Sequence, residues 1–322
     1  MPFFGARPQA IFNVRGSGLK PWLYRQIVTK GYVACGYKDS VPWRNVNSIS
    51  FSTDTCTNLG DLMQETANYC AGGHNRNQAF MFGTGGVGAF TSTSVFNMRN
   101  DTTYTKTTAM NTAYTCGDTG TIQSHDLNGS GQMCYINGAV GGAFIQKFNL
   151  QLEQYISAIA TTFDQGGIGA SGHFGERQGY WWNDTPQNRK FVFSTETETV
   201  LTNNTVGWHS QQKGFASKLE RGYAGNEGTY NSGFNYRKWN YVTEVIQSTF
   251  AKPIADQGEE NYSNGQDHTF MLGAYGAPGP AQHNRAWKFA YATDTGFEGG
   301  ASMQPSAPGI AGRSSGYGYW RD

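Results

Sequence analysis

Three groups of residues in the 322-residue chain have types that can do chemistry. Asp126, Asn128 and Ser130 in "DLNGSG" stand at alternate positions before Gly131, the oxygen spacing of the first half of a calcium loop. The twelfth position of such a loop requires a bidentate Glu and here is Asn137. A Gly/Asn/Ser turn explains the same residues. His74 in "GGHNRN" and His173 in "SGHFGE" stand just before similar apolar bursts, and imidazoles from neighbouring repeats can share a metal or ligand. A loop histidine bonded to its own turn is the simpler reading. "GTGGVG" (83–88) follows a strand-like run, but no helix pattern opens behind it and no Lys stands near, so it reads as a turn rather than a phosphate cradle.

The remaining chemistry is thinner still. A sialidase-type Asp box needs Gly and Trp after the acid, and "STDTCTN" has neither. Tyr, Cys and His suited to a copper oxidase are present, but nothing in their spacing assigns them. The motifs G-x-x-x-x-G-K-[ST] and H-E-x-x-H do not occur. The expectation is therefore no enzyme, no catalytic residue, no cofactor and no metal beyond the weak calcium candidates. Cys35, Cys56, Cys70, Cys116 and Cys134 are odd in number without C-x-x-C spacing, which fits buried free thiols better than a disulfide framework. Lys+Arg (24) and Asp+Glu (23) nearly cancel, so there is no basic field for nucleic acid. No apolar run is long enough for a membrane span, and "MPFFGARPQA" lacks the charged and apolar regions of a secretory leader.

The elements that would hold such residues are strands. Gly makes up 43 residues, aromatics 14% and charged residues only 15%, the profile of a turn-rich β protein. "FSTDT" (51–55) returns as "FSTET" (193–197) and, loosened, as "YATDT" (291–295). Extending that pattern gives anchors at Phe12, Phe51, Met98, Phe148, Phe193, Tyr241 and Tyr291. Interleaved with them run seven aromatic, Gly-closed bursts: "GYVACGY", "AFMFGTGG", "QMCYINGAVGG", "GYWWND", "TYNSGFNY", "TFMLGAYG" and "GYGYW". About four strands per ~46 residues is the repeat of a β-propeller, so the expected fold is all-β, one seven-bladed domain over 1–322 with a short arm at 1–9. A pair of β-sandwiches or a β-solenoid explains the interleaving less well. "FNLQLEQYISAIATTF" has Leu152, Ile156, Ile159 and Phe163 at helical spacing, although strand is favoured there. Closure is expected from Phe12 and Val14 in "AIFNVRG" zipping to Tyr317 and Tyr319 in "GYGYW". Asp54, Glu196 and Asp294 are expected in Thr-rich turns, where a carboxylate accepts backbone N–H bonds. Trp181, Trp182, Trp208, Trp239, Trp287 and Trp320 are expected mostly in the core with their N–H bonded across a blade, with a few on loops suited to interfaces or sugars.

A Gly-closed apolar strand, then "VNSISFSTDT", a variable segment and another Gly-closed strand follows the order of a kelch-type motif. More closely, it resembles the degenerate kelch-like repeats in structural proteins of tailed bacteriophages, particularly marine ones. The likeness spans nearly the whole chain, is clearest at 46–86, 188–236 and 284–320, and is poorest at 98–165. It implies a non-enzymatic virion protein of tail, neck, baseplate or capsid. Such a protein is made in the host cytoplasm, without a signal peptide, and contacts other virion proteins in a symmetric assembly of many copies. The alternative is a carbohydrate-binding propeller for host adsorption, with a host glycan as partner; a metal-dependent enzyme is the remote third reading.

Overall fold

The computed structural model describes residues 30–38, 41–62, 71–75, 77–82, 89–90, 92–106, 114–115, 120–124, 132–137, 144–161, 171–174, 177–182, 189–201, 214–218, 221–227, 235–251, 256–257, 261–264, 268–276, 281–298 and 319–321. Every regular element among them is a strand, and the strands form small antiparallel sheets. Sheet I joins Tyr319–Arg321, Lys30–Lys38, Val41–Ser50 and Thr55–Gly60 in that order. Sheet II joins Ala71–His74, Gln78–Phe82, Thr93–Asn97 and Thr102–Lys106. Sheet III holds Gly120–Gln123, Met133–Asn137, Phe144–Asn149 and Gln154–Ala160, and sheet IV holds Ser171–Phe174, Gln178–Trp182, Arg189–Val192 and Thr197–Val200. Sheet V comprises Gly214–Lys218, Arg221–Glu227, Asn235–Asn240 and Val245–Ala251. In sheet VI the first strand is split into Asp256–Gln257 and Asn261–Asn264, followed by His268–Gly276, Ala281–Ala290 and Thr295–Glu298. A two-stranded ribbon, Ala89–Phe90 with Tyr114–Thr115, stands apart.

The sheets are copies of one unit, and the register demonstrates it. Every third strand ends in a four-residue turn before the fourth: the flanking pairs are Ser50↔Thr55, Asn97↔Thr102, Asn149↔Gln154, Val192↔Thr197, Asn240↔Val245 and Ala290↔Thr295. Two residues before each turn the third strand buries a large apolar side chain: Ile49, Phe96, Phe148, Phe191, Trp239 or Phe289. One strand over, an aromatic residue of the second strand stands opposite the next position back, as in Tyr32↔Ser48, Phe80↔Val95, Tyr135↔Lys147, Tyr180↔Lys190, Tyr223↔Lys238 and Phe270↔Lys288. The alternation follows from the two-residue period of a strand whose faces meet different neighbours.

The core lies between sheets rather than within any one of them. Tyr32 and Val46 of sheet I pack with Ala79, Met81, Phe96 and Met98 of sheet II. Phe80, Phe82 and Val95 of sheet II meet Cys134, Ile136 and Phe148 of sheet III. Tyr135 and Ile145 then meet Trp181, Phe191 and Phe193 of sheet IV, and Tyr180 meets Trp239 and Tyr241 of sheet V. The first strands of sheets II to VI lie side by side in order, and Asn261–Asn264 of sheet VI lies against Lys30–Lys38 and Tyr319–Arg321 of sheet I.

The all-β expectation holds, and several details move. Six four-stranded units lie among the described residues where the interleaved series led to seven. The burst "GYGYW" explains part of the surplus: its end, Tyr319 and Trp320, supplies the first strand of sheet I opposite Tyr32 and Gly31, so it opens an existing sheet instead of founding another. Residues from both ends of the chain thus share a sheet, but the strand that receives Tyr319 is Lys30–Lys38 rather than 10–16. Phe12, Val14, Tyr317 and the 1–9 arm lie outside the described residues. The second strand of sheet V is Arg221–Glu227, upstream of "TYNSGFNY", whose last two residues, Asn235 and Tyr236, open the third strand and whose others lie outside the described residues. The segment with helical spacing is a hairpin: Tyr155, Ser157 and Ile159 face inward, and Gln154, Ile156 and Ala158 face out.

Candidate functional site

The turn between the third and fourth strands repeats in every sheet and brings the chain's ionisable groups together. Its first residue is a buried apolar side chain: Phe51, Met98, Leu150, Phe193, Tyr241 or Tyr291. Its second and third residues are exposed, and its fourth is always acidic. These acids are Asp54, Asp101, Glu153, Glu196, Glu244 and Asp294, and each sits in the left-handed region with φ between 51° and 55°. A four-residue hairpin loop needs a left-handed residue to bring the fourth strand back into register, a place where glycine or asparagine is the undemanding choice.

Local hydrogen bonds fold the turn without using the acid. In sheets II, III and V the residue before the turn is Asn, whose Oδ1 accepts turn N–H groups: from Arg99 at 2.9 Å, from Gln151 and Leu152 at 2.9 and 2.8 Å, and from Val242 and Thr243 at 2.8 and 2.9 Å. In sheets I, IV and VI hydroxyl pairs do similar work, with Thr53–Thr55 at 2.8 Å, Thr195–Thr197 at 2.7 Å and Thr293–Thr295 at 2.6 Å. This is why "FSTDT", "FSTET" and "YATDT" recur: threonines two apart flank the acid and bond to each other across it.

The carboxylates reach outward to the preceding sheet. Lys147 of sheet III pairs with Glu196 of sheet IV, and Lys190 of sheet IV with Glu244 of sheet V. Lys238 of sheet V meets Asp294 of sheet VI at 2.6 Å. Lys288 of sheet VI then donates to both oxygens of Asp54 in sheet I, at 2.7 and 2.6 Å. Each of these lysines stands three residues before its own turn, on the face opposite the buried apolar residue. Between sheets II and III the cation comes from the fourth strand, where Lys106 lies 2.7 Å from Glu153.

Tyrosine hydroxyls complete these clamps. Tyr104 donates to Glu153 at 2.7 Å, Tyr135 to Glu196 at 3.0 Å and Tyr180 to Glu244 at 3.2 Å. Tyr32 instead donates to the Met98 carbonyl at 3.2 Å. Amides of Gln78 and Gln178 donate to Glu153 and Glu244. Burial, and after it the neighbouring carboxylate, pushes the Tyr104, Tyr135 and Tyr180 phenols well above their ordinary range, so they remain donors. Burial by itself would raise the Glu153 carboxyl, but hydrogen bonds from Lys106, Tyr104 and Gln78 outweigh it and hold Glu153 below its ordinary value. The arrangement binds charge to charge between sheets, and it leaves Asp54, Glu153, Glu196, Glu244 and Asp294 turned toward protein donors.

The residues singled out by sequence fare unequally. Asp54, Glu196 and Asp294 occupy the repeated turn as expected, but their carboxylates serve the neighbouring sheet. Asp101, Glu153 and Glu244 occupy the same turn position and were missed; in sheet III the anchor is Leu150, two residues after the expected Phe148. A signal was available. "KFNLQLE", "KFVFSTE", "KWNYVTE" and "KFAYATD" place Lys, aromatic, any residue, apolar, two residues and acid at one spacing, which "VFNMRND" follows without the lysine and "SISFSTD" with Ile in place of the aromatic as well.

Asp126, Asn128 and Ser130 lie outside the described residues. His74 and His173 stand one register apart: His74 is opposite Ala79 and His173 opposite Tyr180, whereas the residue matching Tyr180 in sheet II is Phe80. Cys134 is a buried free thiol, and Cys56 is partly covered, with burial pushing its thiol up to about 12. Trp181 is fully buried, yet its Nε1 has no hydrogen-bond partner among the described residues, contrary to expectation. Trp208 lies outside the described residues. No helix among the described residues is long and apolar enough to cross a membrane. Comparison with protein-family models finds no match, and comparison with curated proteins finds none.

Proposed function

We propose that the six sheets are the blades of a closed β-propeller, and that the chain is a non-enzymatic structural, decorating or adaptor protein of a phage particle, acting through protein–protein contacts. The observation that carries the architecture is the recurrence of one Lys–acid clamp from sheet to sheet, with Lys288 of the sixth sheet clamping Asp54 of the first. Six blades rather than seven follow, because no gap is left between those two sheets for another. Closure covers the outward faces that the first and last sheets of an open row would present, and leaves each sheet only a short outer edge.

The scaffold reading draws on what the repeated ionisable groups do. Glu153, Glu196, Glu244, Asp54 and Asp294 are each held by lysine from the adjacent sheet, which suits a rigid body better than a reaction centre. The large apolar side chains exposed on the described residues, Leu152, Ile156, Val200, Val242 and Val245, fall on the turns and fourth strands of the consecutive sheets III, IV and V. The matching turn positions of sheets I, II and VI carry Ser, Thr, Arg, Asn or Ala. One-sided apolar exposure of this kind suits contact with another protein. The kelch-like phage resemblance of the sequence supplies the setting, with other virion proteins as partners.

Mass spectrometry of purified particles from a phage that encodes the chain tests the proposal. The protein is expected among the stoichiometric virion components. Its absence from the particle, with recovery as a free lysate protein, would overturn the reading, and binding on a glycan array would favour the adsorption alternative.

A further inference from the structure

The contact between sheets VI and I has an imidazole beside its Lys–acid clamp. His268 opens the second strand of sheet VI opposite Ala290, the residue just before the turn. At the same register, Gln78 of sheet II stands opposite Asn97 and Gln178 of sheet IV opposite Val192. Both glutamines donate an amide N–H to the acid of the following sheet's turn, so in sheets II and IV this position is a donor onto that carboxylate, whereas in sheets I, III and V it holds Lys30, Met133 and Arg221. In sheet VI the position is an imidazole. Its Nε2 lies 4.0 Å from Asp54 Oδ1, its side chain is 16% exposed, and the Phe51 ring meets it edge-on with centroids 5.8 Å apart. The charged groups of its clamp are Asp54 and Lys288, which holds the same carboxylate.

We propose that His268 is a proton-operated latch on the contact between the last sheet and the first, closing more tightly when the imidazole is protonated. The clamp between sheets II and III shows that one acid accommodates a lysine ammonium on one oxygen and a second N–H donor on the other. At Asp54, where Lys288 donates to both oxygens, an imidazolium at His268 shares Oδ1 with the lysine and adds attraction to the carboxylate. The charge of Lys288 opposes it in part, so the gain is small. Its sign is set by the protonated form: the contribution is present on the acid side and is lost as pH rises through the range in which imidazoles ordinarily titrate, about pH 5 to 8. The inference depends on the contact between sheets VI and I and is independent of any role in a particle.

The test compares the intact protein with His268→Gln, which installs the residue the repeat uses at two other junctions and so preserves the fold. Thermal unfolding from pH 8 to 5.5 should give the wild type an acid-side gain of about 1–2 °C in Tm over His268→Gln, and Asp54→Asn should abolish it. Hydrogen exchange gives a local readout: protection of the Lys30–Tyr32 amides, compared with the variant at each pH, should rise toward pH 5.5 in the wild type. Parallel pH profiles, or a wild type that loosens on acidification relative to His268→Gln, overturn the proposal.

Discussion

Asp54, Asp101, Glu153, Glu196, Glu244 and Asp294 all hold a left-handed backbone that an L side chain resists by about 1 kcal/mol. Glycine would occupy the same place freely, so six acids there imply a return from the carboxylate. In five of the six that return is visible as a lysine from the adjacent sheet. The two contributions can be separated at Glu196. Glu196→Gly relieves the backbone while losing Lys147 and Tyr135; Glu196→Ala loses the same partners and keeps the strain. The alanine variant should therefore be less stable than the glycine variant by about 1 kcal/mol, read as a lower denaturation midpoint. Equal midpoints would mean that the turn exacts no backbone cost. At this scale the sequence was half legible. Thr-flanked acids announced themselves, while "NMRND" and "NLQLE" build the same turn with Asn capping from the strand and so share few letters with "FSTDT".

Strands have two faces, and the repeat spends each differently. In the third strand the residue two before the turn is buried between sheets, and the residue three before it carries the lysine in four of the six. That alternation explains the spacing of Lys and aromatic in "KFNLQLE" and its relatives. Two elements approach closely at Gly73, in the first strand of sheet II. A Cβ there would lie 2.9 Å from Cys134 Sγ and 3.2 Å from Leu150 Cδ2 of sheet III. Gly73→Ala should cost about 1–3 kcal/mol, and Cys134→Ala, which removes the nearest atom, should recover part of the loss. An unchanged Tm in Gly73→Ala would show that the sheets sit further apart than described. Strand content was legible from aromatic, Gly-closed bursts, but strand order was not: "GYGYW" and "GYVACGY" look alike in composition, yet one ends in a first strand and the other is a second strand. Burial on both faces writes the same text in either place.

At the scale of the molecule, the proposed closed body rests on the contact of sheet VI with sheet I. Three features meet there: Tyr319–Arg321 paired to Lys30–Tyr32, the strand Asn261–Asn264 against both, and Lys288 on Asp54. A repeat near 46 residues points to a propeller, and the seven interleaved anchors and bursts fit the full length of 322 divided by that repeat. The division assumed that every residue belongs to a unit. The units are instead unequal, since sheet II carries a ribbon between its strands and the first sheet borrows its opening strand from the far end of the chain. The count therefore could not come from length, whereas the alternating strand pattern within each unit could come from sequence. Cryo-electron microscopy of the isolated protein tests the central claim most directly, through class averages viewed down the axis of the body. Six lobes around a closed centre are predicted; an open arc, or any other number of lobes, would contradict the account.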